Sequence, residues 1–335
     1  MKSNDGWRFS WMEMLIPTIL IAFFYTIAIL LWRSTGIIFY LYNFVYLGTA
    51  IAAGLALMRT LPKKHTAWGR RIAQFLVGCY LLFFVGFGLH ENMQFEGFVL
   101  YLVMGLFAGA VIHYLIAKLF GPVIFGRGWC GWSCWTAGFL DLLPWKKPKN
   151  GRLRKWGAVR YVHAVLSTSL ILVPIYLLGV SAQELHGTVS GYWFAIGNIL
   201  YFGSSIFLAW RLKDNRAFCK YLCPIPVLQK AGSRFALLKV AVDPETCIEC
   251  GKCEKACPMN ILLLDYKNAG TRVLSTECVL CTTCMEICPT HAVTINLGFD
   301  LGGIEHLCYQ GDEPRNYTPK KIKRKSQDGG AAVEG

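Results

Sequence analysis

Along the chain, apolar residues gather in long runs separated by short basic or polar segments. A bilayer core about 30 Å thick needs roughly 20 apolar residues in a helix. Six runs meet that length: Leu15 to Trp32, Ile37 to Met58, Ile72 to Leu89, Phe98 to Phe120, Val162 to Val180 and Tyr192 to Trp210. The pattern therefore predicts an all-α membrane region of about six transmembrane helices. Beyond residue 236 the runs shorten and turn residues appear. Short β-like pieces at Lys239–Val242, Ile261–Leu264 and Ala292–Ile295 point to a small α+β domain over 236–300.

Composition agrees. Of 335 residues, 54% are hydrophobic and only 16% charged, against about a quarter charged in soluble domains. The net charge of +14 is read as a topology signal rather than as nucleic-acid binding, because the basic residues sit in alternate loops. Arg59, Lys63, Lys64, Arg70 and Arg71 separate spans two and three. Arg127, Lys146, Lys147, Lys149, Arg152, Arg154, Lys155 and Arg160 separate spans four and five. Arg211, Lys213, Arg216 and Lys220 follow span six. The loops with Glu91 and Glu96, and with Glu184 and His186, have no Lys or Arg. Basic loops stay cytoplasmic, which places both termini and the 236–300 domain inside. No small-residue cleavage site follows span one, so it is expected to be retained. Trp7, Trp11, Trp32, Trp68, Trp129, Trp132, Trp193 and Trp210 suit interface belts. Residues 301–335 read as a basic, disordered tail whose run 320–325 could touch anionic lipid.

Eight of the 14 cysteines form two runs of the pattern C-x2-C-x2-C-x3-C-P. The first is Cys247, Cys250, Cys253 and Cys257, followed by Pro258; the second is Cys278, Cys281, Cys284 and Cys288, followed by Pro289. Two-residue gaps let a loop wrap three irons of a cubane. In two-cluster ferredoxins the fourth Cys ligates the other cluster. One [4Fe-4S] cluster is thus assigned to Cys247, Cys250, Cys253 and Cys288, the other to Cys278, Cys281, Cys284 and Cys257. Paired zinc sites are the rival reading, disfavoured by the prolines and the duplicated three-residue gap.

Two further pairs follow helical runs. Arg127-Gly-Trp129-Cys130-x3-Cys134 and Arg216-Ala-Phe218-Cys219-x3-Cys223 share the form Arg-x-aromatic-Cys-x3-Cys. They make an internal repeat of two helices and a Cys pair. The four thiols could hold a third iron–sulfur cluster, act as a redox dithiol, bind copper or zinc transiently, or simply pack.

Together these motifs resemble the membrane-bound polyferredoxin family of NapH, MauN, the C-terminal half of NosR, and CcoG, with NapH-like members nearest. The resemblance covers roughly residues 72 to 300. It implies a multi-pass protein of the bacterial cytoplasmic membrane that passes electrons between the quinol pool and a redox partner, such as a reductase, cytochrome or ferredoxin-like subunit. Three features depart from it. Trp135 stands where a Pro is usual, residues 1–71 form an additional hairpin before the 72–235 repeat region, and the large extra domains of NosR and CcoG are missing.

A quinone site needs a pocket and a proton acceptor, and ionisable residues within spans are candidates. His113 in span four and His163 at the inner end of span five are the choices for quinone contact. His90, Glu91, Glu96, Glu184 and His186 read as an outer group, a wet loop or a proton exit. Cys79 and Cys308 have no partner by spacing. No P-loop, dinucleotide fingerprint or nucleophile-and-base set is present. The leading expectation is an iron–sulfur electron carrier linked to quinol. The alternative is a maturation factor that reduces a metal ion or disulfide for another metalloenzyme.

Overall fold

The computed structural model describes residues 10–62, 65–106, 109–146, 148, 150–313 and 315–319. Trp7, Lys63, Lys64, Lys147, Lys149 and the basic run 320–325 lie outside them. Helix α1 (Trp11–Thr35) and α2 (Ile38–Thr60) form a hairpin. α1 ends at Gly36, whose φ of 69° turns its N–H back to the Trp32 carbonyl. α2 crosses α3 (Thr66–Gly88) closely because small residues meet there: a Cβ on Gly54 would lie 2.4 Å from that of Ala73.

The fourth expected span is the main departure. Phe98–Phe120 is not one helix but two antiparallel pieces, α4 (Phe95–Val103) and α5 (Val111–Phe125). Val103 is the last residue of α4, and the chain turns at Gly105, whose φ of 69° suits glycine. The fold-back is fixed by Tyr114, whose ring stacks on Phe98 at 4.5 Å and whose hydroxyl donates to the Met93 carbonyl at 3.4 Å. The non-helical stretch before α4 is walled off by protein, with Asn92, Met93 and Gln94 all buried. Irregular backbone at membrane depth survives only under such cover.

Short helices α6 (Gly128–Trp132) and α7 (Trp135–Leu140) follow. Then come α8 (Lys155–Tyr176), α9 (Ala182–Thr188) and α10 (Gly191–Leu212). Among the described residues five helices, α1, α2, α3, α8 and α10, are long and apolar enough to cross a membrane. Their outward faces carry Phe23, Leu30, Leu166 and Leu200, all exposed, as lipid contact requires. Helices α11 (Ala217–Tyr221) and α12 (Ile225–Arg234) lead into the ferredoxin domain.

In that domain β1 (Leu238–Val242) pairs antiparallel with β2 (Val293–Leu297), from Leu238 opposite Leu297 to Val242 opposite Val293. Three short helices, α13 (Lys252–Ala256), α14 (Leu263–Asn268) and α15 (Thr283–Ile287), complete it. The expected strand at Ile261–Leu264 is instead a single bridge from Ile261 to Leu307 followed by α14. The two halves duplicate one backbone: Cys257 and Cys288 share φ of −69°, and Gly251 and Thr282 both take left-handed conformations.

Residues 301–319 are not a loose tail. The Cys308 N–H donates to the Asn260 carbonyl at 2.9 Å, and the Arg152 N–H to the Cys308 carbonyl at 2.8 Å. Arg315 makes a bidentate pair with Asp265, with hydrogen bonds of 2.6 and 2.7 Å. The segment straps the ferredoxin domain to the loop before α8.

Glu277 joins the ferredoxin domain to the helical bundle through four ion pairs. Its Oε2 accepts from Arg127 at 2.7 Å and Arg152 at 3.1 Å, its Oε1 from Arg160 and Lys230 at 3.0 Å each. Gly131 lies so close that a Cβ there would sit 2.1 Å from the Val279 carbonyl oxygen. Two substitutions test this docking. Glu277→Gln should cost on the order of 3–5 kcal/mol, the penalty for stranding buried charges, read as a fall in thermal midpoint in detergent. Gly131→Ala should speed tryptic release of the domain; a wild-type digestion rate would show that the contact is not tight.

Candidate metal centre and its surroundings

Three cavities are each lined by four cysteines. The first, in the ferredoxin domain, has Cys247, Cys250, Cys253 and Cys288. Another in the same domain has Cys257, Cys278, Cys281 and Cys284. Each thus takes three thiols from one run and the fourth from the other. This follows locally because the left-handed residue after the second Cys of each run reverses the loop, while the last Cys leaves its helix in extended conformation.

The third cavity is lined by Cys130, Cys134, Cys219 and Cys223, the two repeat motifs brought together. Both motifs have the same local turn. The Ser133 and Cys134 N–H groups donate to the Trp129 carbonyl, and the Leu222 and Cys223 N–H groups to that of Phe218. Trp135 does not disturb the turn; its indole donates to Asn198 Oδ1 at 3.2 Å. Among the described residues no group of three or more His, Cys, Asp or Glu side chains could hold a single metal ion. Each set of four thiols lines a small cavity.

The charge balance also fits an anionic group. Arg70, Lys118, Arg127, Arg152, Arg160, Arg216 and Lys220 are all buried. Lys118 lines the Cys130/Cys219 cavity, and the others pair with or lie near three acids. Glu277 takes four cations, Asp141 takes Arg70 at 3.0 Å and Arg216 at 2.7 Å, and Asp214 takes Lys220 at 2.6 Å. Buried cations in such surplus favour further anions close by, and thiolates holding a cluster would supply them. Burial raises the Glu277 carboxyl, but Arg127, Arg152, Arg160 and Lys230 outweigh it and hold the group well below its usual range. Burial pushes Cys134 and Cys257 up to about 11 and Cys278 to about 12. Those thiols keep their protons until a metal displaces them.

The cavities lie in series. The Trp132 indole, from the first Cys-pair motif, donates to the Leu280 carbonyl at 3.0 Å, and Arg216 is electrostatically coupled to Cys281. The two ferredoxin cavities adjoin in turn, with Cys284 coupled to Cys253.

Of the two histidines singled out, His113 lines the Cys130/Cys219 cavity with Lys118, its ring edge-on to Trp129 at 5.2 Å. His163 lines a separate cleft between α8 and α10, and its Nδ1 bonds the Leu222 carbonyl at 2.7 Å. The outer group separates as well. His90 and Glu184 are exposed, and His186 packs on Tyr101 at 5.1 Å. Glu96 is no part of a wet loop: it is buried at mid-height of α8 and α10, where Ser167 Oγ donates to it at 2.6 Å. Sequence reading also passed over Tyr201, which borders both cavity and cleft, and Gln229, which accepts from Cys130 Sγ at 3.1 Å. The polar Asn92, Gln94 and Glu96 beside an apolar run were the available signal for the broken span. Cys79 and Cys308 join none of the three cavities.

The 4Fe-4S dicluster domain family matches residues 239–289. The uncharacterized protein MJ0749 of Methanocaldococcus jannaschii is 27% identical over 237 residues, 68% of this chain and 86% of that one. The ferredoxin-type protein NapH of Escherichia coli is 27% identical over 207 residues, 58% of this chain and 69% of its own. The methylamine utilization ferredoxin-type protein MauN of Methylorubrum extorquens is 28% identical over 195 residues, 56% of this chain and 68% of its own. No solved structure matches.

Convergence of the two Cys pairs can be checked directly. A short bifunctional thiol reagent added to cluster-free protein should join a peptide containing Cys130 or Cys134 to one containing Cys219 or Cys223. Cross-links confined to each pair would refute the shared cavity.

Proposed function

Because the chain belongs to the NapH/MauN-type membrane polyferredoxin family, whose members carry iron–sulfur clusters and transfer electrons, we propose that it connects the quinol pool to a redox partner protein. In this reading Cys247, Cys250, Cys253 and Cys288 hold one cubane, Cys257, Cys278, Cys281 and Cys284 a second, and Cys130, Cys134, Cys219 and Cys223 a third cluster. Such clusters supply one-electron redox capacity. The chain's own residues do the rest. Arg127 and Arg216 offset the clusters' negative charge, Gln229 accepts from Cys130 Sγ, Gln74 Nε2 donates to the Cys130 and Cys134 carbonyls at 3.3 Å each, and the bundle excludes water. The basic loops argue for a cytoplasmic ferredoxin domain, with residues 236–319 forming it together with its strap.

The observation that carries the proposal is the series of three four-cysteine cavities from the membrane bundle into the ferredoxin domain. The buried state of Cys130 and Cys219 favours a fixed cluster over the exchangeable metal or open dithiol that a maturation factor would need.

Anaerobically purified protein should contain about twelve irons per chain, four per cubane, falling to about eight in Cys219→Ser. Oxidised protein mixed with excess menaquinol or ubiquinol should show iron–sulfur EPR signals within seconds. Reduction by dithionite but by neither quinol would overturn the quinol link, and eight irons in the wild type would remove the third cluster.

A further inference from the structure

The cleft between α8 and α10 has the shape and chemistry of a site for an amphipathic redox molecule. Its volume is about 760 Å³, within the usual range for small-molecule sites of about 300–1,000 Å³. Leu166, Leu170, Ile196 and Leu200 line it and are exposed on the outward face of the bundle, so its mouth faces lipid. An apolar tail could enter there without crossing water.

Its inner end is polar. Glu96, Ser167, Tyr201, His163 and Ser204 line it. Glu96 is 6% exposed. Its Oε1 accepts from Ser167 at 2.6 Å and from the Tyr201 hydroxyl at 3.5 Å, whereas its Oε2 is buried with no hydrogen-bond partner. An unsatisfied carboxylate oxygen at mid-membrane depth is costly to keep. The fold goes to some length to put it there: span four is broken, and Glu96 sits in the first turn of the resulting α4. An acyl chain filling the cleft would leave that oxygen unsatisfied. A hydroxyl-bearing ring would satisfy it.

The polar end also abuts the four-cysteine cavity. Tyr201 lines both spaces, and its ring packs on Phe218 at 5.5 Å, next to Cys219. His163 is tied to the carbonyl of Leu222, next to Cys223. A carbonyl can only accept, so His163 Nδ1 carries a hydrogen in this contact, and in the neutral ring Nε2 is the acceptor.

We propose that this cleft binds the quinol head group, with Glu96 as the residue that takes its first proton. The inference rests on the quinol-linked reading above and gives it a location. Oxidation of the quinol to quinone breaks two O–H bonds and releases two protons and two electrons. The first proton goes to Glu96 Oε2 and the second to His163 Nε2. The electrons leave one at a time to an iron–sulfur cluster held by the adjoining cysteines, which is the oxidant. Ser167 and Tyr201 are positioning residues that orient the carboxylate.

The test uses the full-length, cluster-loaded protein in lipid nanodiscs. An azido-quinone should photolabel peptides of α8 and α10, and Leu170→Trp, which fills the cleft, should abolish that labelling. Glu96→Gln should keep the labelling and the dithionite-reduced EPR line shape, yet slow cluster reduction by quinol about 100-fold or more, the scale of a lost proton acceptor. Glu96→Asp should recover part of the rate. Labelling elsewhere, labelling removed by excess phospholipid alone, or a wild-type rate in Glu96→Gln would overturn the site. If quinol still reduces wild type, Glu96→Gln and Leu170→Trp alike, only this location fails. If quinol never reduces wild type while dithionite does, the quinol-linked reading fails with it.

Discussion

One buried carboxylate holds the molecule together. Glu277 gathers Arg127 from the end of α5, Arg152 from the next loop, Arg160 from α8 and Lys230 from α12. Those residues are far apart in sequence and all belong to the helical bundle, whereas Glu277 belongs to the ferredoxin domain and immediately precedes Cys278. Removing such charges from water costs several kcal/mol per ion, and only close multiple pairing offsets it. The arrangement therefore ties bundle, ferredoxin domain and cysteine cradles into one electrostatic unit.

Its stoichiometry carries a second consequence. Among the described residues, buried basic side chains outnumber buried acids, which leaves an excess of positive charge near the cysteines. Several of the thiols that could neutralise it are held protonated by burial. An anionic cluster held by these thiols would remove both penalties at once, by displacing the protons and supplying the missing charge. Docking and cofactor acquisition would then be coupled.

The broken span serves a different need. An unbroken helix satisfies its own backbone and offers the bilayer interior few polar groups. Splitting it into α4 and α5 places Gln94, Glu96 and the Met93 carbonyl at membrane depth, under cover of α8 and α10. Phe98 stacked on Tyr114 makes the fold-back a packed interface rather than a loose loop. Polar chemistry inside the bundle thus depends on a backbone irregularity, which in turn depends on the glycine at 105 and on neighbours that hide it.

What the chain order determines by itself is chemistry with short reach. The cysteine runs 247–257 and 278–288, the repeated Arg-x-aromatic-Cys-x3-Cys motifs and the apolar runs of α1, α2, α3, α8 and α10 are legible because spacing, run length and turn residues act within a few positions. The split at Gly105 is only faintly marked, by the polar Asn92, Gln94 and Glu96 ahead of it, since Phe98–Phe120 is as apolar as a true span and the packing of Tyr114 on Phe98 helps to reverse the chain. The strap of 301–319 is equally hidden: its polar composition reads as solvated until Asn260 and Arg152 pair with its backbone. Glu96 changes meaning for the same reason. In sequence it is an acid beside a loop; in the fold it is buried against Ser167 and Tyr201 from two other helices, lining the cleft between them. Such contacts join residues about 70 to 100 positions apart, and only tertiary packing can bring them together.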